Sequence, residues 1–258
     1  MPAWNQFWSS TILVLIRLSA VAAWAPYFSS IALPARTKAI FVLLMATLLA
    51  PVIAELPESH PTLGLAAILS EVAVGMLFGL TLALLNEMLT FAGEMIGLQL
   101  SFSLVNLLDP SSTIQTPLMG ELFQLLGTLV VITGGLDRIL LRSLVRSFRA
   151  APLGAFVLPP LTSAVLIRAT GGIFLAGLEL AAPVLAATLL VDVAVALMGK
   201  LSPQLPVMSL TVPIKTMAGF MLLAASLAVW PRFIEGHFDH LLDMAQHLIA
   251  TGSSRVSG

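Results

Sequence analysis

From Leu63 to about Leu108 the sequence has no proline and three charged residues, Glu71, Glu87 and Glu94, in an otherwise apolar, helix-compatible run. A helix of that length rises roughly 70 Å at ~1.5 Å per residue, about twice the ~30 Å hydrocarbon thickness of a bilayer. It must therefore bend, project out of the membrane, or turn back within protein. The composition agrees: 58% of the 258 residues are hydrophobic and 10% charged, whereas soluble domains carry about 25% charged residues. The chain is predicted to be an all-α polytopic membrane protein with about six hydrophobic helices, several of them not simple lipid-spanning elements. Residues 1–258 are expected to form a single domain.

The first apolar run extends from about Phe7 to Leu33, interrupted by Arg17 and Pro26. Ala20-Val21-Ala22 resembles a signal cleavage site, but no Lys or Arg precedes the run and a cation sits inside it. It reads as a retained first span. A second run, from Ala39 to Ala54, follows Arg36 and Lys38. After the long segment, Asp109-Pro110-Ser111-Ser112 breaks the helical pattern, because proline disfavours helix at the preceding residue and Asp and Ser favour turns. Another apolar run covers Leu118 to Leu136. Arg138, Arg142 and Arg146 then recur every four residues among Leu141, Leu144, Val145 and Phe148, an amphipathic helix with a basic stripe. Pro152, Pro159 and Pro160 predict a loop or a broken helix. Two further spans cover about Leu166 to Gly199 and Val207 to Trp230. Beyond Pro231, Ile234, Phe238, Leu241, Leu242, Ala245, Leu248 and Ile249 share one helical face, with Glu235, Asp239 and Asp243 on another.

With six spans and an inside N-terminus, Arg138, Arg142, Arg146, Arg149, Arg232 and Arg255 fall on the cytoplasmic side. Arg36, Lys38 and Lys200 fall on the other. The cation excess favours that orientation. A formal net charge of −1 argues against nucleic acid as a partner.

Eight ionisable residues lie in or at the edges of the apolar runs: Arg17, Glu71, Glu87, Glu94, Glu179, Asp192, Lys200 and Lys215. Each charge at the bilayer centre costs at least ~2.5–3.5 kcal/mol on insertion scales. Eight facing lipid would exceed the stability of an ordinary domain. They are expected to face protein, water or a region outside the hydrocarbon, as a buried charge network. Glu87 and Glu94, seven apart, lie on one helix face. They read either as a proton or cation relay or as carboxylates paired within a packed bundle.

Gly75-x-x-x-Gly79 and Gly93-x-x-x-Gly97 each clear side chains from one stripe, which predicts close helix packing. Eleven Met and 13 Phe fill cores or, alternatively, form a deformable seal around a passage. His237, Asp239, His240, Asp243 and His247 have spacings that suit a metal site, but they are the polar side of a helix that needs one, so neither metal nor cofactor is assigned. There is no cysteine, no nucleophile with its base and no phosphate loop. No enzyme is predicted.

An ordered set of segments points further. Pro26-Tyr27-Phe28 with Pro34 and Arg36 comes first, then Glu71-x-x-x-Gly75-x-x-x-Gly79, Ala92-Gly93-Glu94-Met95-Ile96-Gly97-Leu98-Gln99 and Asp109-Pro110. Gly177-Leu178-Glu179-Leu180-Ala181-Ala182-Pro183, Asp192, Pro203-Gln204-Leu205-x-Val207 and Pro213-Ile214-Lys215 follow. In this order and spacing the chain resembles the FliR/SctT family of type III secretion export-gate subunits, over about Arg17 to Gly219.

The resemblance implies a pore-forming subunit in the bacterial inner membrane, at the flagellar basal body, joined to FliP-like and FliQ-like subunits with an FlhB-like one packed at the cytoplasmic side. Its substrates would be unfolded export proteins. Much of such a gate is held above the bilayer by its own packing. About 1–160 would correspond to a FliP-like part, about 161–231 to a FliQ-like hairpin, and 232–258 to an amphipathic C-terminal helix and tail. The loop from Asn106 to Met119, with Asp109, Pro110 and Gln115, would plug the closed pore. Phe102 and Met119 are candidates for a gasket, and Pro203, Gln204 and Leu205 for a turn near the cytoplasmic entrance. Ser101, Lys200 and Pro206 depart from the family's usual Gly, Arg and Asn, so a bidentate contact is not expected at Lys200. The same resemblance also fits a virulence injectisome. An ion-coupled secondary transporter using Glu71, Glu87 and Glu94 is the alternative from another class.

Overall fold

The computed structural model describes residues 2–24, 34–54, 63–100, 118–160, 162–201 and 207–253. Among these there are eight helices and no strand: α1 Pro2–Trp24, α2 Ala35–Ala54, α3 Leu65–Gln99, α4 Leu118–Thr133, α5 Leu136–Ala150, α6 Thr162–Leu201, α7 Val207–Ser226 and α8 Trp230–Ser253. Four of them, α1, α2, α3 and α6, are long and apolar enough to cross a membrane. The number rises to six if α4 with α5, and α7 with α8, each count as one broken span. The protein is an all-α, multi-pass membrane protein.

Local chemistry explains most boundaries. The apolar run from Leu118 to Leu136 divides at Gly134-Gly135, where Gly135 has φ 69°, a left-handed conformation that ends α4 at little cost for a residue without a Cβ. Asp137 in the first turn of α5 and Arg149 in its last complement the helix dipole. Pro152 stops α5, and no residue from 151 to 160 is helical, as the prolines predict. α6 starts four residues earlier than the apolar run suggests, where Thr162 Oγ1 donates 2.7 Å to the Pro159 carbonyl. Pro231 occupies the first turn of α8 and the chain turns at 227–229 before it, because the ring supplies no N–H and cannot continue α7. The described part of the long segment is helical only to Gln99, with a turn at Leu100. Residues 101–117, 202–206 and 254–258 lie outside the described residues.

The chain divides into two compact units. The first comprises Met1–Leu85, Gly135–Ala169 and Gly236–Gly258; the second comprises Asn86–Gly134 and Thr170–Glu235. The division falls inside α3, α6 and α8.

In the first unit α1 packs on α2 and on the N-terminal half of α3. The core holds Leu13, Val14, Val74, Phe78, Leu144, Phe148, Phe238 and Leu241. Within it, Gly252 accommodates Phe156 and the Val157 carbonyl. In the second unit α4 lies along the C-terminal half of α3, with Met88, Leu89, Ile96, Phe123 and Trp230 buried. Phe123 and Trp230 meet at 4.6 Å between centroids, their planes tilted by 53°. All seven apolar residues predicted for one face of α8, from Ile234 to Ile249, are buried.

Candidate functional site

α1 and α3 cross where the first glycine pair opens the surface. A Cβ on Gly75 would lie 2.5 Å from the Arg17 carbonyl oxygen and 2.6 Å from the Ala20 Cβ. One on Gly79 would lie 2.5 Å from the Trp24 Cβ. These contacts bring Arg17 of α1 against Glu71, one turn before Gly75 on α3. Both side chains are completely buried.

Arg17 Nε donates to Glu71 Oε2 at 2.6 Å and Nη2 donates to Oε1 at 3.1 Å, a two-pronged pair of the kind that planar guanidinium and carboxylate groups favour. Nη2 also donates to the Ala151 carbonyl at 3.1 Å, and Nη1 to Ser147 Oγ at 3.1 Å. Ser147 Oγ in turn donates to the Leu144 carbonyl at 2.6 Å. The Gly154 N–H donates to Glu71 Oε1 at 2.8 Å, and the guanidinium carbon sits 4.1 Å from the centre of the Phe148 ring. The cluster therefore ties α1, α3, α5 and the turn after α5 into one register.

This is a satisfied network with no open coordination position, so its role is structural. Desolvating two charges offsets most of their attraction. What it enforces is an arrangement: any packing that separates the partners strands a charge in an apolar interior.

The second unit repeats the glycine device. A Cβ on Gly93 would meet the Met119 carbonyl oxygen at 2.5 Å, and one on Gly97 would meet the Met119 Cβ at 3.2 Å. Both predicted G-x-x-x-G motifs are close helix contacts. Two turns before Gly93 on α3, Asn86 Oδ1 accepts from Gln124 Nε2 of α4 at 2.7 Å. Between α6 and α7, Lys215 Nζ reaches Asp192 Oδ2 at 2.8 Å, with the lysine side chain 12% and the aspartate 41% exposed.

Of the eight predicted network charges, the fold joins Arg17 to Glu71 and Asp192 to Lys215. Glu87, Glu94, Glu179 and Lys200 are exposed. Met119 is buried against Gly93 and Gly97. Phe102, Asn106, Asp109, Pro110, Gln115, Pro203, Gln204 and Leu205 lie outside the described residues. Sequence reasoning missed the groups that complete the ion pair's hydrogen bonds, Ser147, the Ala151 carbonyl and the Gly154 N–H, although a polar Ser147 on the inward face of α5 is a signal for one of them. It also missed Arg168, an exposed cation near the start of α6. Among the described residues no group of three His, Asp or Glu is placed to hold a metal ion.

The family described as bacterial export proteins, family 1, matches residues 8–241, a stretch that takes in both ion pairs and both glycine motifs. The chain belongs to this family. Among family 1 export proteins, it is similar to the flagellar biosynthetic protein FliR of Caulobacter vibrioides, with 29% identity covering 90% of this chain and 94% of that one. FliR of Escherichia coli is 27% identical, covering 92% and 91% of the two chains. FliR of Bacillus subtilis is 25% identical over 93% and 94%. As a family 1 export protein the chain thus aligns with these relatives from near its first helix to its last.

Proposed function

We propose that this chain is a component of the flagellar type III export apparatus, acting as a pore-forming subunit of its inner-membrane gate. It would pass unfolded flagellar proteins together with FliP-like, FliQ-like and FlhB-like subunits. Membership of the export family and the flagellar names of its relatives support the apparatus.

The observation that carries the subunit reading is α6. Its 40 residues, with Pro183 inside, have a summed helical rise of about 60 Å, twice the ~30 Å of hydrocarbon, and 22% of this candidate span is buried within the chain. Arg168, Glu179 and Lys200 are all exposed on it. A surface both apolar and charged suits neither lipid along its whole length nor water. Sister subunits covering it would satisfy both kinds of residue. The three-part division into FliP-like, FliQ-like and C-terminal segments, and a pore plug between Asn106 and Met119, belong to this proposal.

Native mass spectrometry of a mild-detergent extract tests it. A gate subunit is expected to leave the membrane with unlike membrane subunits in fixed ratio. A monodisperse, partner-free chain would overturn the reading and favour a stand-alone transporter.

A further inference from the structure

α5 presents an outward face that neither the ion pair nor the core uses. At about 100° per residue, Arg138, Arg142, Arg146 and Arg149 fall within roughly 80° of one another, and all four are exposed. The inward face, Leu136, Ser143, Leu144, Ser147 and Phe148, is buried on the opposite side. Between the two lie Leu141 and Val145, 38% and 37% exposed, and Ile139 at 36% flanks the arginines on their other side. Leu141, Arg142, Val145, Arg146 and Arg149 together line a shallow cavity of about 350 Å³.

A bilayer and its surroundings offer this face three environments. Hydrocarbon is excluded, because each guanidinium costs at least ~2.5 kcal/mol at the bilayer centre, and among the described residues none of the four has an ion-pair partner. Bulk water leaves three aliphatic side chains exposed without gain. The interfacial layer satisfies both, with the aliphatic groups in the acyl boundary and the guanidiniums at phosphate depth. α5 also follows the apolar α4 after two glycines, as expected of a helix at the membrane boundary.

The acidic groups nearby are few. Asp137 opens the helix at its exposed N-terminus. Asp243 of α8 shares with Arg146 the lining of a separate cavity of about 270 Å³. Neither neutralises the stripe.

We propose that the outward face of α5 is a docking surface for anionic phospholipid headgroups of the bilayer that holds the protein. Guanidinium forks match phosphate oxygens in pairs, and the groove between Arg142, Arg146 and Arg149 gives a headgroup a concave seat.

The test is lipid retention by the full chain, extracted with its natural partners from nanodiscs of equal parts phosphatidylglycerol and phosphatidylcholine and read by native mass spectrometry. Wild-type protein is expected to retain phosphatidylglycerol in clear preference. An R142Q/R146Q/R149Q variant should lose at least about tenfold of that retention, at roughly fivefold per arginine near an anionic surface, with an unchanged thermal midpoint. The corresponding triple Lys variant should fall between the two, because it keeps the charge and loses the paired fork. Equal retention of both lipids by wild type, undiminished retention by the Gln variant, or cross-linking of positions 142 and 146 to an acidic protein segment would each overturn the proposal. The wild-type comparison decides the matter even if the Gln variant fails to fold.

Discussion

Arg17 and Glu71, 54 residues apart in sequence, meet at 2.6 Å with neither side chain exposed, in the interior of a chain that is otherwise mostly apolar. Removing one partner leaves the other charged and dry, together with the Gly154 N–H or the Ala151 carbonyl that it satisfies. Arg17→Met and Glu71→Gln are each expected to cost about 3–5 kcal/mol, read as thermal unfolding in detergent. The double variant Arg17→Met/Glu71→Leu should lose less than the sum, with a coupling of at least ~1 kcal/mol. Additive losses would show that the two groups act independently.

The glycines that set this crossing give a sharper steric test. A methyl on Gly75 would press on the backbone of Arg17 at 2.5 Å, whereas one on Gly171 in α6 meets nothing within 4 Å. Gly75→Ala should destabilise by about 1–3 kcal/mol through overpacking. Gly171→Ala should instead gain up to ~1 kcal/mol of helix propensity. Equal effects would mean that α1 and α3 are not in close contact.

Much of this arrangement is legible in the sequence, and the illegible part has a physical reason. The one-sided face of α8, the basic stripe of α5 and the break at Pro152 follow from periodicity and from proline chemistry, which act over a few residues. Arg17 and Glu71 stand out because charge inside an apolar run demands compensation. That they compensate each other does not follow, because the partner is chosen by the helix crossing at Gly75 and not by spacing along the chain. Ser147 and the Ala151 carbonyl join the network for the same reason. Conversely, spacing puts Glu87 and Glu94 on one face of α3, but that this face is exposed does not follow from it, because spacing does not show which faces the chain's other helices cover.

Two left-handed glycines separate backbone strain from contact. Gly135 has φ 69° with open space around it, and Gly154 has φ 77° with the Ala67 Cβ 3.0 Å from where its own Cβ would stand. Gly135→Ala should cost about 1–2 kcal/mol from the left-handed backbone alone. Gly154→Ala should cost more, because it adds a close contact and displaces an N–H that donates to Glu71. Thermal unfolding of the two variants side by side checks the order, and a larger loss at Gly135 would contradict it.

If the loop plugs a pore, deleting residues 109–118 in the assembled complex should raise membrane permeability to small solutes while the subunits still co-purify. Unchanged ion conductance in a complex shown to be assembled would rule out the plug.

The Asp192–Lys215 pair should behave unlike the first, although its 2.8 Å separation is similar. With the aspartate 41% exposed, water competes for both charges and replaces whichever partner is lost. Asp192→Asn and Lys215→Gln are therefore expected to cost the isolated chain no more than ~1 kcal/mol, and that small loss should shrink further in high salt. Thermal unfolding at low and high ionic strength measures both. A loss as large as that of Glu71→Gln would mean that the pair is shielded from water and belongs to the buried framework of its unit.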